Sequence, residues 1–220
     1  MLSGEFPRWM MGGSALSRRP PLEPLSSFPI PIAPGTRIAV LGDSNVSGSK
    51  VGGPAVAFPA ALEARLGHGI SVDSLGRGGE TAGERQSRPL RLGGAQLCIL
   101  MYGTNDAAAR GWLSSHDRVP IADFRDALTQ IVAQCQEQSA QVLLLAAPPA
   151  GTAAIEARVA PYRVAMREVA IATGSRFRDP VEAFQTAKDR PMLTHDALHL
   201  TREAHRLLAD WLALHLVAGS

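Results

Sequence analysis

The stretch Ala39-Val-Leu-Gly-Asp-Ser-Asn-Val-Ser-Gly48, AVLGDSNVSG, runs apolar, halts on Gly-Asp-Ser and then turns polar and glycine-containing. Extended back to Arg37, the run RIAVL has the length and branched aliphatic content of a buried strand. Two readings compete for the polar residues beyond it. Either the strand ends in an ordinary surface loop, or it is a mount and Ser44 is the group it presents. The rest of the chain decides between them.

Working outward, residues 70–75 read as a further strand ending in the glycine cluster Gly76-Arg-Gly-Gly79, and residues 96–101 (QLCILM) as a third, ending at Gly103-Thr-Asn-Asp106. A fourth run at 141–147 (QVLLLAA) is stopped by Pro148-Pro149, and a short strand at 176–178 leads into Asp179-Pro180. Between them lie helical patterns: 55–66; 121–138, with Phe124, Leu128, Ile131, Val132 and Cys135 on one stripe; and a long stretch to 171–173. Pro161 is expected to kink or restart that third helix, and Gly174 to cap it. The final helix is expected to be capped by Thr201 and to bury Ala204, Leu207, Leu208, Trp211 and Leu212. Short apolar strands alternating with helices predict an α/β fold with a parallel sheet covered on both faces. Such sheets bind ligands beyond the carboxyl ends of their strands. The polar segments 42–48, 76–81 and 103–106 all fall there, which ordinary surface loops do not explain.

The 220 residues suit one domain, and 45% hydrophobic with 5% aromatic content implies an interior built mainly of Leu, Val, Ile and Ala. Twenty-two basic and 20 acidic groups give a formal charge of +2, too balanced to imply a nucleic-acid partner. No window has the 18 or so continuous apolar residues of a membrane span. Residues 1–35 read as a flexible, proline-rich lead-in to a domain over 36–217. Arg18-Arg19 hints at a twin-arginine signal, but proline and glutamate interrupt the segment after it. A cytoplasmic location is the default and secretion stays open. Cys98 and Cys135 read as buried free thiols, with a bridge between them left open.

The site can be assembled by role. A serine hydroxyl needs a base to take its proton, and the base is best a histidine oriented by an acid. Thr194-His-Asp-Ala-Leu-His-Leu-Thr201 puts Asp196 and His199 three residues apart, close enough in a helix-like turn for the carboxylate to hold one ring nitrogen. The developing oxyanion needs donors. Asn105 offers its side-chain amide, and Gly79 and Ser44 their N–H groups. Asp43 and Asp106 read as structural carboxylates behind these groups. Nothing in this chemistry calls for a cofactor or a metal.

These blocks resemble the SGNH-hydrolase superfamily, also called the GDSL-like lipase/esterase family. Gly42-Asp-Ser44 matches its first block, with Asn45 where Leu or Ile is usual. Ser74-Leu-Gly-Arg-Gly-Gly-Glu-Thr81 is similar to the second, making Gly79 the oxyanion glycine, with Gly78 the neighbouring choice. Gly103-Thr-Asn-Asp106 matches the third in full, and Asp196-Ala-Leu-His199 resembles the familiar DGLH with Ala197 for glycine. The resemblance implies a three-layer α/β/α, flavodoxin-like domain with a doubly wound parallel sheet of about five strands. It also implies a serine esterase with Ser44, Asp196, His199, Gly79 and Asn105 as its machinery. Its expected substrates are short-chain carboxylic esters or acetylated saccharides.

Competing readings use the same residues differently. Acyl transfer or thioester hydrolysis would need the same site, with Trp112 in the 107–118 loop as a candidate wall for the acceptor. A non-catalytic carbohydrate-binding protein would waste a complete set of catalytic groups. A metal site at His195, Asp196 and His199 lacks the HExxH pattern, and neither GxxxxGK[ST] nor GxGxxG is present for phosphate.

Overall fold

The structure, a computed structural model, describes residues 28–67, 69–108, 117–185 and 192–218. In chain order the elements are β1 (Ile30–Ile32), β2 (Arg37–Gly42), α1 (Ser44–Ser47), a 3-10 turn (Pro54–Val56), α2 (Phe58–Leu66), β3 (Ser71–Ser74), α3 (Ala82–Gln86) and β4 (Leu97–Met101). They continue with α4 (Ile121–Glu137), β5 (Gln141–Leu145), α5 (Ala153–Thr173), β6 (Arg176–Arg178), α6 (Val181–Gln185), α7 (Arg202–Ala213) and β7 (Leu216–Ala218).

Five parallel strands form the main sheet in the order β3-β2-β4-β5-β6. Alternation along each strand divides the core. Ala39, Leu41, Cys98, Leu100, Val142 and Leu144 face one side, where they pack with Phe124, Leu128 and Ile131 of α4 and Tyr162 and Met166 of α5. Ile38, Val40, Ile99, Met101, Leu143 and Leu145 face the other, against Phe58 and Leu62 of α2 and Leu208 and Leu212 of α7. The result is the expected three-layer α/β/α architecture. From β2 the chain first adds β3 on one flank and then returns to place β4 on the other. The sheet therefore changes direction between β2 and β4, whose ends are in register at Gly42 and Met101. A crevice opens at such a switch point.

Several details depart from expectation. The lead-in does not extend to residue 35, because Ile30–Ile32 pairs in parallel with Leu216–Ala218 and Ile30 N–H donates to His215 O at 2.9 Å. Ile30 and Ile32 are buried while Pro31, which has no N–H to offer, faces out. The helix expected from residue 55 divides into the 3-10 turn and α2. Helix α5 runs continuously across Pro161. Cys98 and Cys135 are both buried free thiols, in contact across β4 and α4. Trp112 and residues 1–27 lie outside the described residues.

Candidate active site

At the end of β2 the chain has no room for a side chain. A Cβ on Gly42 would lie 2.4 Å from Met101 O and 2.4 Å from a Val46 methyl, so glycine is required for β2 to run close beside β4. Asp43 then starts α1, its carboxylate accepting from Asn45 N–H at 2.8 Å. Ser44 is thereby the first residue of a helical turn set beyond the strand end, buried but for 7% of its surface.

His199 arrives from the other end of the chain, on the loop before α7. Its Nε2 lies 2.8 Å from Ser44 Oγ, and its Nδ1 lies 2.7 Å from Asp196 Oδ2. A carboxylate beside Nδ1 fixes the proton there, which leaves Nε2 to accept from the Ser44 hydroxyl. Asp196 is itself well held. Its Oδ1 accepts from the Thr194 hydroxyl at 2.7 Å and from the Leu198 and His199 N–H groups at 3.0 Å each. Partial burial would raise the Asp196 carboxyl, but these bonds and the His199 ring outweigh it and hold the group well below the usual carboxylate range. The ring thus sits against a firmly ionised acid.

The other two expected residues meet in the neighbouring loops. Asn105 is buried, and its Nδ2 donates to Glu80 O at 3.1 Å. An amide nitrogen carries two hydrogens, so a second remains to be donated. Gly79 precedes Glu80, has φ of 79°, and its N–H has no partner among the described residues. The loops are joined by further bonds. Asp106 accepts from Ala82 N–H at 3.0 Å and from Gly103 N–H at 3.1 Å, while the Tyr102 hydroxyl donates to Glu80 Oε2 at 2.9 Å. Asp106 thus ties these loops together, and Asp43 caps α1 and is hydrogen-bonded to the Thr104 side chain of the neighbouring loop, the structural roles that the sequence predicts. Burial pushes the Asp106 carboxyl up to about 7 and the Asp43 carboxyl up to about 6; for Asp43 the Asn45 N–H and the nearby His199 act in the opposite direction.

All five expected residues therefore lie in segments gathered at the carboxyl edge of one sheet, and Ser44, His199 and Asp196 are hydrogen-bonded in series. Such a series can withdraw the hydroxyl proton as the oxygen attacks a carbonyl carbon. Sequence reasoning passed over three contributors. Thr194 fastens the acid, Glu80 anchors Asn105 through its carbonyl, and Asn45 reaches the His199 loop. The departure of Asn45 from the usual Leu or Ile was a signal for the last of these. For Thr194 and Glu80 the contacts depend on loops meeting in space and leave no pattern along the chain.

A sequence model of the GDSL-like Lipase/Acylhydrolase family matches residues 40–207. The chain belongs to this family. Among functionally curated proteins, none matches it. The GDSL-like fold is shared with solved structures. One is LAE5, an alpha/beta hydrolase enzyme from the metagenome of Lake Arreo, Spain, with TM-score 0.70 and 22% identity over 84% of this chain and 96% of that one. Another is Axe2, an acetylxylan esterase from Geobacillus stearothermophilus, with TM-score 0.68 and 19% identity over 84% of this chain and 96% of that one.

Proposed function

We propose that the protein is a serine-dependent ester hydrolase acting on short-chain carboxylic esters, acetyl esters of sugars among them. The observation that carries this reading is the unbroken series from Ser44 Oγ through the His199 ring to Asp196, at 2.8 and 2.7 Å. As Ser44 Oγ bonds to the ester carbonyl carbon, His199 Nε2 takes the hydroxyl proton and the carbonyl oxygen becomes an oxyanion. The second Asn105 amide hydrogen and the Gly79 and Ser44 N–H groups are the donors for that oxygen; losing one such donor costs roughly 3 kcal/mol of barrier. His199 returns the proton to the departing alcohol as the carbon–oxygen bond breaks. Water then repeats both steps on the acyl-enzyme, releasing the acid and restoring Ser44.

Relatives of this fold lend support. Variants of Axe2 in which a serine, an aspartate or a histidine is replaced by alanine are described as catalytic mutants, and that aspartate and histidine are three positions apart, as Asp196 and His199 are. For the substrate, the informative feature is a cavity of about 400 Å³ that opens on Gly79 and is lined by Arg77, Glu80, Glu84, Ser87 and Arg88. Among the described residues its walls are charged and polar, which suits a hydroxylated or otherwise polar ester group better than a long acyl chain.

Replacing Ser44 with alanine should leave the fold and melting temperature nearly unchanged while abolishing turnover of p-nitrophenyl acetate. Turnover retained at the wild-type rate would reject Ser44 as nucleophile. A panel of acetylated sugars, acyl-thioesters and p-nitrophenyl esters of increasing length is expected to favour the acetyl esters. Faster turnover of eight-carbon than of two-carbon acyl groups would reject the short-chain assignment.

A further inference from the structure

Asn45 lies one residue after the proposed nucleophile, is 1% exposed, and hydrogen-bonds through its side chain to the loop that carries His199. Its Oδ1 accepts from Leu200 N–H at 2.9 Å, and its Nδ2 donates to Leu198 O at 3.4 Å. The Leu198 carbonyl belongs to the peptide unit entering His199, and the Leu200 N–H to the unit leaving it. One amide therefore grips the backbone on both sides of the base.

The remaining bonds of the His199 backbone stay within its own loop: its N–H donates to Asp196, and its carbonyl accepts from Thr194 N–H at 2.8 Å. Those bonds shape the loop without placing it relative to Ser44. Asn45 does place it, because it sits on the same helical turn as the nucleophile and is linked to it covalently. Its own N–H is fastened by Asp43, so the turn cannot rotate freely beneath the clamp.

Building on the serine-hydrolase reading, we propose that Asn45 is a positioning residue that sets the approach of His199 Nε2 to Ser44 Oγ. The apolar Leu or Ile usual at this place in the family pattern has neither a donor nor an acceptor and cannot do this. Misplacement of a reacting group by about 1 Å costs on the order of a hundredfold in rate. The clamp therefore acts on kcat through the geometry of proton transfer, and has no contact with the cavity beside Gly79 that would alter KM.

The test is Asn45→Leu, alone and combined with His199→Ala. It is read by steady-state kinetics on p-nitrophenyl acetate and by the rate at which a fluorophosphonate labels Ser44. Circular dichroism at the assay temperature establishes that each variant is folded. Asn45→Leu alone should lower kcat and labelling tenfold to a hundredfold with KM within about threefold of wild type. In the His199→Ala background it should change the residual labelling less than twofold, since a residue acting through His199 has nothing left to position. Should the leucine variant fail to fold, Asn45→Asp, which keeps the acceptor for Leu200 N–H, takes its place. It should remain within tenfold of wild type in kcat while its pH profile shifts through the added charge.

Unchanged kcat in a folded Asn45→Leu protein, or the same loss in both backgrounds, would overturn the inference. So would a loss in Asn45→Asp confined to KM. A wild-type protein that does not label at all would instead reject the hydrolase reading on which the inference rests.

Discussion

Position 197 carries a local cost that the rest of its loop has to sustain. Ala197 adopts φ of 62°, a left-handed conformation that costs an L-residue roughly 1–2 kcal/mol and that glycine adopts freely. Loop bonds hold it there: Ala197 N–H donates to Thr194 O at 2.9 Å and its carbonyl accepts from Gly151 N–H at 2.8 Å. The cost falls between Asp196 and His199, where the family pattern has glycine. Replacing Ala197 with glycine relieves the strain but makes the unfolded chain more flexible, which takes back roughly 0.5–1 kcal/mol. A net gain of about 0.5 kcal/mol is expected, a rise of roughly 1–2 °C in melting temperature at this chain length. Thermal denaturation measures it, and a fall in melting temperature would show that the alanine methyl makes packing contacts worth more than the strain. At this scale the sequence was most legible where a polar side chain stands at a strand end or in a recognisable block, as at Ser44, Asn105 and His199. It was least legible where a side chain addresses a backbone group far along the chain. The partners of Asn45 are peptide groups 153 and 155 residues away, and a peptide group has no sequence signature.

Among the elements, the join between β5 and α5 depends on one buried cation. Arg163 of α5 donates to Ala147 O at 2.7 Å and to Pro148 O at 2.8 Å, and it is ion-paired with Glu156, whose other role is to accept from Ala150 N–H at 2.9 Å. Beyond the end of β5 the chain runs through Ala146-Ala147 into Pro148-Pro149, and the Ala147 and Pro148 carbonyls are satisfied from the helix behind them. The same loop holds the His199 loop through Gly151. Methionine at 163 fills a similar volume and leaves both carbonyls unpaired and Glu156 unneutralised. The expected loss is roughly 3 kcal/mol, lowering the melting temperature by roughly 6–12 °C. An unchanged melting temperature would mean that water replaces the guanidinium without penalty. The long elements were legible because several turns or strand positions repeat one burial pattern. Helices α1, α3 and α6, of four or five residues, are too short to show a period, and β1 hides its alternation behind prolines on both sides.

Across the whole molecule, buried ionisable groups set opposing responses to pH. Asp43 and Asp106, raised by burial from 3.8 to about 6 and about 7, contribute stability that is complete below pH 3.8 and lost as pH rises through those values. His205 runs the other way. Burial, and then repulsion from His199, lower it from 6.5 to about 4, so its contribution is present above pH 6.5 and lost as pH falls through about 4. The imidazole stays neutral so that its Nδ1 can accept from Phe58 N–H at 3.2 Å, which closes the start of α2 against α7. Glutamine at 205 keeps an acceptor and does not titrate. Between pH 7 and pH 4 the His205→Gln variant should lose less stability than wild type, by roughly 3 kcal/mol. Urea denaturation at both pH values measures the difference, and parallel losses in the two proteins would exclude His205 as the source. The order β3-β2-β4-β5-β6 was legible only as a class of fold, since strand neighbours are chosen by packing on both faces at once and no local pattern encodes them. The distance in sequence between Ser44 and His199 has a further consequence during biosynthesis. A chain synthesised only as far as β6 has Ser44 but neither His199 nor α7, which packs in the same cluster as Ile99 and Leu143. Until residues 196–213 have been made and have docked, the series from Ser44 through His199 to Asp196 cannot form, so its assembly coincides with closure of that face of the sheet.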